Sequence, residues 1–430
     1  MIQNGEKISQ QPSDILRIIP NWEKFFSENA QYLQKKVVSI AQGGTIDAIK
    51  DHEGRLTPIA HPITIELTGN SSALEIVRLF QEKALDHRNL GDLYNWTSTY
   101  PAGNIPWQKV EVKYALRISS FDSGQELNPH FLASIKFLYD LLQEVDVICL
   151  SGGTDSLAKK VALCSVLLSS YLIKNNKKII FHGSPESGYK QNSLAVVNIT
   201  GGLYTAIEEE LPGGAYTVTT SKKEKNKQPM IHILPGLGTV KLHSDGFFYS
   251  PNSTPLLTID GGNVHKYPLY DDLKERIKYI ELFPDFSEHY LTHEDEITKF
   301  EHAMNNTRIE TVENDIPALE EFYKYGFRIF LIKARGSGTA SPKWKKAIED
   351  ILRKKDTTVL IITLADQGDV DLQRYSAGLS IKGVLSGRTL REDAAFMIAA
   401  LSHELIYNHN YKIDQIQELI ERYCWLAGIL

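Results

Sequence analysis

Short apolar runs alternate with helical patterns along most of the chain, and a Gly-rich or polar turn follows many of these runs. In the first half the runs lie at residues 37–40, 145–150 and 178–181. In the second half they lie at residues 277–283, 329–332, 358–364 and 381–385. Fully apolar runs are typical of strands that are covered on both faces, and their alternation with helices predicts parallel α/β sheets.

A break in this rhythm divides the chain. Residues 189–267 are richer in Gly, Pro and polar residues, and the lysine-rich run at 221–227 is predicted to be a solvated loop. We therefore predict an α/β fold of two parallel-sheet domains, the larger of them N-terminal. The predicted limits are an N-terminal extension at 1–36, with an amphipathic helix at 22–33, a catalytic domain at 37–250, a linker at 251–275 and a C-terminal domain at 276–430.

Composition places the chain among ordinary globular proteins, with 42% hydrophobic and 23% charged residues in 430. The net charge of -6 argues against a nucleic-acid partner, because proteins that bind phosphate backbones carry a basic excess. Cys149, Cys164 and Cys424 are scattered, which indicates buried, reduced thiols. With no signal-like N-terminus and only strand-sized apolar runs, we expect a cytoplasmic protein without a membrane partner.

Metal and cofactor motifs are absent from the sequence. The 13 histidines show no HxH or HExxH spacing. Residues 260–263 are predicted to form a turn, because they lack the further acidic ligands of a calcium loop. We therefore expect neither a metal nor a cofactor.

Two threonine-containing turns are candidates for chemistry: AQGGTI at residues 41–46 and SGGTDS at residues 151–156. Each follows an apolar strand and precedes a helical segment, which predicts a position at the carboxyl edge of the sheet, where open α/β folds bind ligands. One such turn alone is typical of a strand-to-helix connection with threonine as the N-cap. Two of them, with Asp155 beside Thr154, offer the nucleophile, second hydroxyl and carboxylate that amide cleavage requires.

This pair of turns resembles the TGGTI and HGTDT motifs of the bacterial-type L-asparaginase/glutaminase family. Other segments resemble that family in the same order, at residues 121–129, 180–184, 237–246, 334–338, 369–375 and 383–384. The resemblance covers roughly residues 36–405. It implies an amidohydrolase that cleaves a small-molecule amide through a threonyl ester without a cofactor, and that assembles as a homodimer or homotetramer.

The resemblance also implies roles for individual residues. Thr45 matches the nucleophile, Thr154 the threonine that activates water or relays a proton, and Asp155 its neighbouring carboxylate. The residues expected to bind substrate are Gly44, Asp122, Ser123, Gly153 and Asp369. In the family, a neighbouring subunit supplies the carboxylate at the position of Asp369.

The family also uses a relay lysine, expected here before the hairpin-like segment 237–246. Its candidates are Lys222, Lys223, Lys225 and Lys227. We favour Lys225. A lysine that is desolvated beside Asp155 can pass on a proton, because burial brings its pKa towards neutrality.

Departures from the family motifs bear on the substrate. Gln42 stands where threonine is usual, Gly152 replaces a histidine, and Thr339 replaces an asparagine. No tyrosine occurs between Thr45 and Ile65, where the family carries one on a mobile loop. The missing tyrosine, together with Thr339 and Gly152 in place of bulkier polar side chains, predicts a roomier pocket, and we expect an asparaginyl or glutaminyl conjugate to be a better substrate than free asparagine.

Two other functions fit parts of the sequence. SGGTDS also matches the pyrophosphate-binding loop of ATP pyrophosphatases, although in that class the loop usually opens the domain. The other alternative is a non-catalytic asparaginase-like protein or an amidotransferase subunit, because several substrate-contacting positions are substituted.

Overall fold

The computed structural model describes residues 35–42, 48–50, 56–58, 110–117, 123–186, 193–221, 229–244, 246–260, 263–282, 284–314 and 316–428. The amphipathic segment predicted at 22–33 lies outside these residues. Among the described helices, none has the length and apolar character needed to cross a membrane.

The strands of the described residues are short, and most belong to one of two sheets. In chain order they are β1 (Lys35–Gln42), β2 (Ala48–Lys50), β3 (Leu56–Pro58), β4 (Val110–Arg117), β5 (Val147–Gly152), β6 (Lys178–His182), β7 (Gly214–Thr220), β8 (Ile231–Pro235), β9 (Val240–Lys241), β10 (Phe248–Tyr249), β11 (Leu257–Asp260), β12 (Asn263–Lys266), β13 (Thr307–Thr311), β14 (Ile329–Ala334), β15 (Thr358–Thr363) and β16 (Val384–Ser386).

The described α-helices connect and cover these strands. They are α1 (Asn128–Leu141), α2 (Leu157–Lys174), α3 (Leu194–Ile207), α4 (Pro268–Arg276), α5 (Phe286–Thr292), α6 (Glu294–Asn305), α7 (Leu319–Lys324), α8 (Pro342–Leu352), α9 (Glu392–Tyr407) and α10 (Ile413–Leu426). Short 3-10 helices lie at Ser123–Gln125, Gly236–Gly238 and Ile277–Leu282.

Local sequence fixes several helix starts. Ser193 caps α3 by accepting a hydrogen bond from the backbone N–H of Ala195 at 3.0 Å. Pro268 and Pro342 are the first residues of α4 and α8, where the N–H that proline lacks would have no partner within the helix. These helices therefore begin where the side chains require it.

The larger sheet has eight strands in the order β12-β11-β8-β7-β6-β5-β1-β4. Neighbouring strands from β4 to β7 are parallel, whereas β8, β11 and β12 add antiparallel pairs. The second sheet, β13-β14-β15-β16, is parallel throughout. The predicted α/β fold with two parallel-rich sheets is confirmed, and the antiparallel edge is a feature that the apolar runs did not indicate.

The strand predicted at residues 277–283 is wrong. Ile277–Leu282 form a 3-10 helix, and the second sheet begins instead with β13. Ile277 and Ile280 are three residues apart, which places both on one face of a 3-10 helix, whereas Tyr279 between them is 55% exposed. The apolar run thus follows a helical period rather than an extended strand.

One hydrophobic cluster extends across both sheets. It includes Leu167 of α2, Leu331 of β14 and Ile398 of α9, all nearly inaccessible to solvent. The hydroxyl of Tyr423 in α10 donates a hydrogen bond to the carbonyl oxygen of Val166 in α2 at 2.6 Å. The two sheets lie on either side of residue 275, and the domain limits 1–36, 37–250, 251–275 and 276–430 stay predictions.

The three cysteines are buried, free thiols, as the sequence predicts. Burial raises the pKa of Cys149 to about 12 and that of Cys424 to about 11. A thiol with such a pKa is protonated at neutral pH, so these side chains pack as small apolar groups.

Asp393, in the first turn of α9, carries a desolvated carboxyl group. Burial raises its pKa to about 6. The positive charge of Lys159 acts to lower this pKa, whereas the negative charge of Glu392 acts to raise it further. This pKa lies above the unfolded value of about 3.9, so the native state binds the proton more tightly. The resulting stabilisation is present at low pH and is lost as the pH rises from about 4 to about 6.

We expect Asp393→Asn to raise the melting temperature at pH 7.5 and to change it little at pH 4, because asparagine resembles the protonated carboxyl group. Thermal denaturation between pH 4 and pH 7.5 measures this difference. Asp414→Asn, an exposed aspartate in the first turn of α10, is the matched control and should show no such rise. A difference between Asp393→Asn and the wild type that stays constant across the pH range would contradict the expectation.

Candidate functional site

The two threonine turns start side by side at one edge of the larger sheet. Strands β1 and β5 are parallel neighbours, and Gln42 at the end of β1 is in register with Gly152 at the end of β5. Ser151 Oγ also donates a hydrogen bond to the carbonyl oxygen of Ile40 at 3.2 Å. Strands β1 and β5 therefore end at adjacent positions on this edge of the sheet.

Part of the predicted site lies outside the described residues. This holds for Gly44 and Thr45 in the first turn and for Asp122. Their roles in the site stay predictions, based on the motifs that contain them.

Thr154, Asp155 and Lys241 form a polar cluster at this edge. Thr154 is buried and Asp155 is exposed, both in the turn that precedes α2. Lys241 Nζ forms an ion pair with Asp155 Oδ1 and donates a hydrogen bond to Thr154 Oγ1 at 3.4 Å. One cation thus contacts both the second threonine and its carboxylate.

Sequence reasoning missed Lys241. This lysine ends β9, which pairs with β10 in a short hairpin, inside the segment 237–246 rather than before it. The signal for it was a lysine next to Val240 in a short extended run between Gly238 and Gly246. The favoured Lys225 lies outside the described residues, as do the other three candidates, so its role as relay stays a prediction.

Ser123 contacts Asp155 through the carboxylate oxygen that does not pair with Lys241 and through the backbone N–H. Its Oγ donates to Asp155 Oδ2 at 3.4 Å and accepts from the backbone N–H of Asp155 at 3.4 Å. A Cβ atom on Gly153 would lie 2.2 Å from the Cβ of Ser123, so a glycine is needed for this close approach. The structure brings Ser123, Gly153 and Asp155 together, and their binding of substrate stays a prediction.

Glycines from two other segments enclose Thr154. Gly246, with φ of +88°, sits so close that a Cβ atom there would lie 2.5 Å from Thr154 Cγ2. A Cβ atom on Gly183, which follows β6, would lie 3.1 Å from the same methyl group. This packing orients the Thr154 side chain, with its hydroxyl near Lys241.

A buried polar network lies at the end of β1. Lys160 Nζ of α2 is 2.6 Å from Glu126 Oε1 and 2.9 Å from Gln42 Oε1, and the Lys160 side chain is only 1% exposed. Gln42 Nε2 in turn donates to Ser134 Oγ at 3.1 Å. Burial lowers the pKa of His130 beside this network, which keeps its imidazole neutral. Gln42, at the position where threonine is usual in the motif, therefore accepts a hydrogen bond from a buried lysine.

Asp369 has a separate environment. It lies after β15, and its carboxylate pairs with Arg388 Nη2 at 2.8 Å. Within the described part of the chain, no hydrogen bond or ion pair joins Asp369 to Thr154 or Asp155. The structure thus does not link Asp369 directly to the Thr154 cluster of its own chain.

Residues 36–269, more than half of the 430-residue chain, match the profile of the family described as "Asparaginase, N-terminal". The chain belongs to the asparaginase family. No curated protein matches this asparaginase-family sequence.

Solved L-asparaginases share the fold of this asparaginase-family chain. The thermostable L-asparaginase from Thermococcus kodakarensis is 18% identical with a TM-score of 0.58, over 92% of this chain and 99% of that one. The probable cytoplasmic L-asparaginase from Campylobacter jejuni is 15% identical with a TM-score of 0.57, over 90% and 99%. L-asparaginase I from Vibrio cholerae O1 biovar eltor str. N16961 is 16% identical with a TM-score of 0.57, over 90% and 97%.

The buried Lys160–Glu126 pair gives a prediction for stability. Lys160→Met leaves the Glu126 carboxylate in the interior without its counter-charge, which we expect to cost about 3–5 kcal/mol. The double variant Lys160→Met/Glu126→Gln removes both charges and should recover much of that loss. Denaturant unfolding of the four proteins in the cycle measures the coupling.

Lys174→Met is the matched control, because Lys174 is an exposed lysine at the end of the same helix. It should leave stability nearly unchanged. Additive losses from the two substitutions at positions 126 and 160 would show that the charges are not coupled.

Proposed function

We propose that this asparaginase-family chain is an amidohydrolase that resembles L-asparaginase, cleaving a carboxamide through a threonyl ester with release of ammonia or an amine. The observation that carries the proposal is the contact of Lys241 with both Thr154 and Asp155, at the sheet edge where β1 and β5 end. The family match over residues 36–269 favours this function over that of an ATP pyrophosphatase.

In the first half-reaction, the Thr45 hydroxyl attacks the carbonyl carbon of the amide. Its proton passes to the departing nitrogen, which leaves as ammonia or an amine, and a threonyl ester remains. Backbone N–H groups of the glycine-rich turns hold the negative charge that develops on the carbonyl oxygen. The role of Thr45 is taken from the motif AQGGTI, whose first two residues end β1.

In the second half-reaction, water replaces the threonine oxygen. Thr154 accepts the proton of the attacking water while its own hydroxyl proton passes to the departing Thr45 oxygen. The ammonium group of Lys241, whose Nζ lies 3.4 Å from Thr154 Oγ1, polarises this relay hydroxyl, and Asp155 holds the ammonium group through the ion pair. The acyl product leaves as a carboxylic acid, and the Thr45 hydroxyl is regenerated.

The substituted positions support a larger substrate. Gly152 is buried at the end of β5, and a Cβ atom there would make an ordinary contact with Leu150 Cδ2 at 3.6 Å, so packing alone does not require glycine and the glycine occupies less space than the histidine it replaces. Ser123 and Asp155 remain to bind the charged groups of an amino-acid substrate. We infer that an asparaginyl or glutaminyl conjugate is cleaved better than free asparagine.

A second copy of the chain completes the site in this proposal. Among the described residues, no hydrogen bond or ion pair joins Asp369 to Thr154 or Asp155, and the ion pair with Arg388 of the same chain orients the Asp369 carboxylate. A homodimer or homotetramer then brings the Asp369 carboxylate of one subunit to the substrate ammonium group in the other. Light scattering beside activity across a dilution series tests this assembly, and a fully active monomer would contradict it.

An ammonia-release screen over asparagine, glutamine and their N-substituted and peptide-linked analogues tests the function. We expect turnover of at least one amide, and losses of orders of magnitude in Thr45→Ala and Lys241→Met, because nucleophile and relay act as a unit. Lys266→Met, which removes an exposed lysine paired with Glu210, should retain the rate. ATP binding without release from any amide would support the pyrophosphatase instead.

Comparison of Gly246→Ala with Gly326→Ala tests whether Gly246 positions Thr154, because both substitutions strain the backbone but only the first adds a methyl group beside Thr154. The added methyl group must displace Thr154, so we expect the turnover number to fall at least about tenfold. Gly326→Ala is the control, since Gly326 also has a positive φ of +103° but no atom within 4 Å of the added Cβ. Both variants should lower the melting temperature, Gly246→Ala by more because of the added clash, and an equal loss of activity in both would refute the positioning role of Gly246.

A further inference from the structure

Two histidines and a glutamate converge in the second half of the chain. His289 belongs to α5, Glu296 to the first turn of α6, and His409 to the loop between α9 and α10. The two Nε2 atoms are 3.1 Å apart. Glu296 Oε2 lies 3.2 Å from His289 Nε2 and 3.6 Å from His409 Nε2.

These separations fit the coordination sphere of a zinc ion. Zinc binds imidazole nitrogen and carboxylate oxygen at about 2.0–2.2 Å in tetrahedral geometry, which sets neighbouring ligand atoms about 3.3 Å apart. The three observed distances lie on either side of that value. We propose that His289, Glu296 and His409 form a zinc-binding site.

The glutamate is arranged as a ligand. Its Oε1 pairs with Lys299 Nζ at 2.6 Å, which fixes the carboxylate plane. Its Oε2 is buried and, among the described residues, accepts no hydrogen bond of proper geometry. The lone pairs of Oε2 are therefore available where the two imidazoles meet, and Lys299 acts as the outer partner that orients the ligand.

The histidines also present a free lone pair. Two Nε2 atoms at 3.1 Å cannot both carry a proton directed at the other, so at least one of them is an acceptor. A zinc ion between the two imidazoles takes the place of the proton in the hydrogen bond between them and binds both nitrogens. The donor set of two histidines and one glutamate is one that zinc uses with water as the fourth ligand, and the side chains are 38%, 15% and 24% exposed, in chain order, so solvent reaches the site.

The site joins parts of the chain that are distant in sequence. His289 and Glu296 lie on consecutive helices, whereas His409 comes more than 100 residues later. The unfolded chain does not hold the three groups together, so zinc binding adds to the stability of the folded state. The zinc ion therefore links α5 and α6 to the α9–α10 loop. This role is structural and is separate from amide cleavage.

Zinc titration of the chelator-treated full chain, in competition with a chromophoric chelator, tests the site. We expect one zinc ion per chain and a higher melting temperature in its presence. Cobalt(II) in place of zinc should give the intense visible absorption of a tetrahedral site. Failure of the wild-type chain to bind either ion would overturn the proposal.

Variants assign the ligands. Glu296→Gln, His289→Gln and His409→Gln should each weaken zinc binding at least about tenfold and abolish the zinc-dependent rise in melting temperature. His302→Gln, an exposed histidine on α6 that contacts Asn306, is the matched control and should bind as the wild type does. Circular dichroism without metal verifies folding, and binding that is unchanged in all three ligand variants would place the metal elsewhere and refute the site.

Discussion

The buried ammonium group of Lys160 constrains the whole region around the candidate site. A charge in the interior is tolerated only when its partners are close and well oriented, and Glu126 and Gln42 fulfil that requirement. These partners come from the end of β1 and from the segment before α1, while Lys160 lies in the first turn of α2. The ends of three elements must therefore meet in one arrangement. Thr154 precedes the first turn of α2 by only a few residues. The Lys160–Glu126 ion pair, which fixes the start of α2, therefore also fixes the position of Thr154.

The Lys241 cluster depends on this frame but comes from a different source. Asp155 belongs to the sheet edge, whereas Lys241 belongs to a hairpin with two-residue strands. The positive φ of Gly246 lets the hairpin close against the methyl group of Thr154. A rigid part of the fold thus holds the hydroxyl and the carboxylate, and a small separate element delivers the cation. Thr154, Asp155 and Lys241 all lie within residues 36–269, which match the asparaginase family.

Much of the fold could be predicted because buried parallel strands leave continuous apolar runs, as at β5, β14 and β15. The antiparallel strands β8, β11 and β12 were less visible, since they are short and interrupted by His, Pro and Asp. In the site, Thr154 and Asp155 were found because glycine-rich turns are local in sequence. Lys241 and the group of His289, Glu296 and His409 were not found, because their proximity arises only from tertiary packing. Gln42 was interpreted as a change in the pocket, yet both polar atoms of its amide bond buried side chains.

The packing of α10 against α2 affects the order in which the protein folds during synthesis. Tyr423 bonds to the carbonyl oxygen of Val166, a residue synthesised 257 positions earlier. At about 5–20 residues per second, roughly 10–50 s pass on the ribosome between the two. During that interval the apolar side of α2 that α9 and α10 finally cover is open to water and to chaperones. Packing around the first sheet is therefore completed late in synthesis, and a chain that ends early in its second half would leave that side of α2 uncovered.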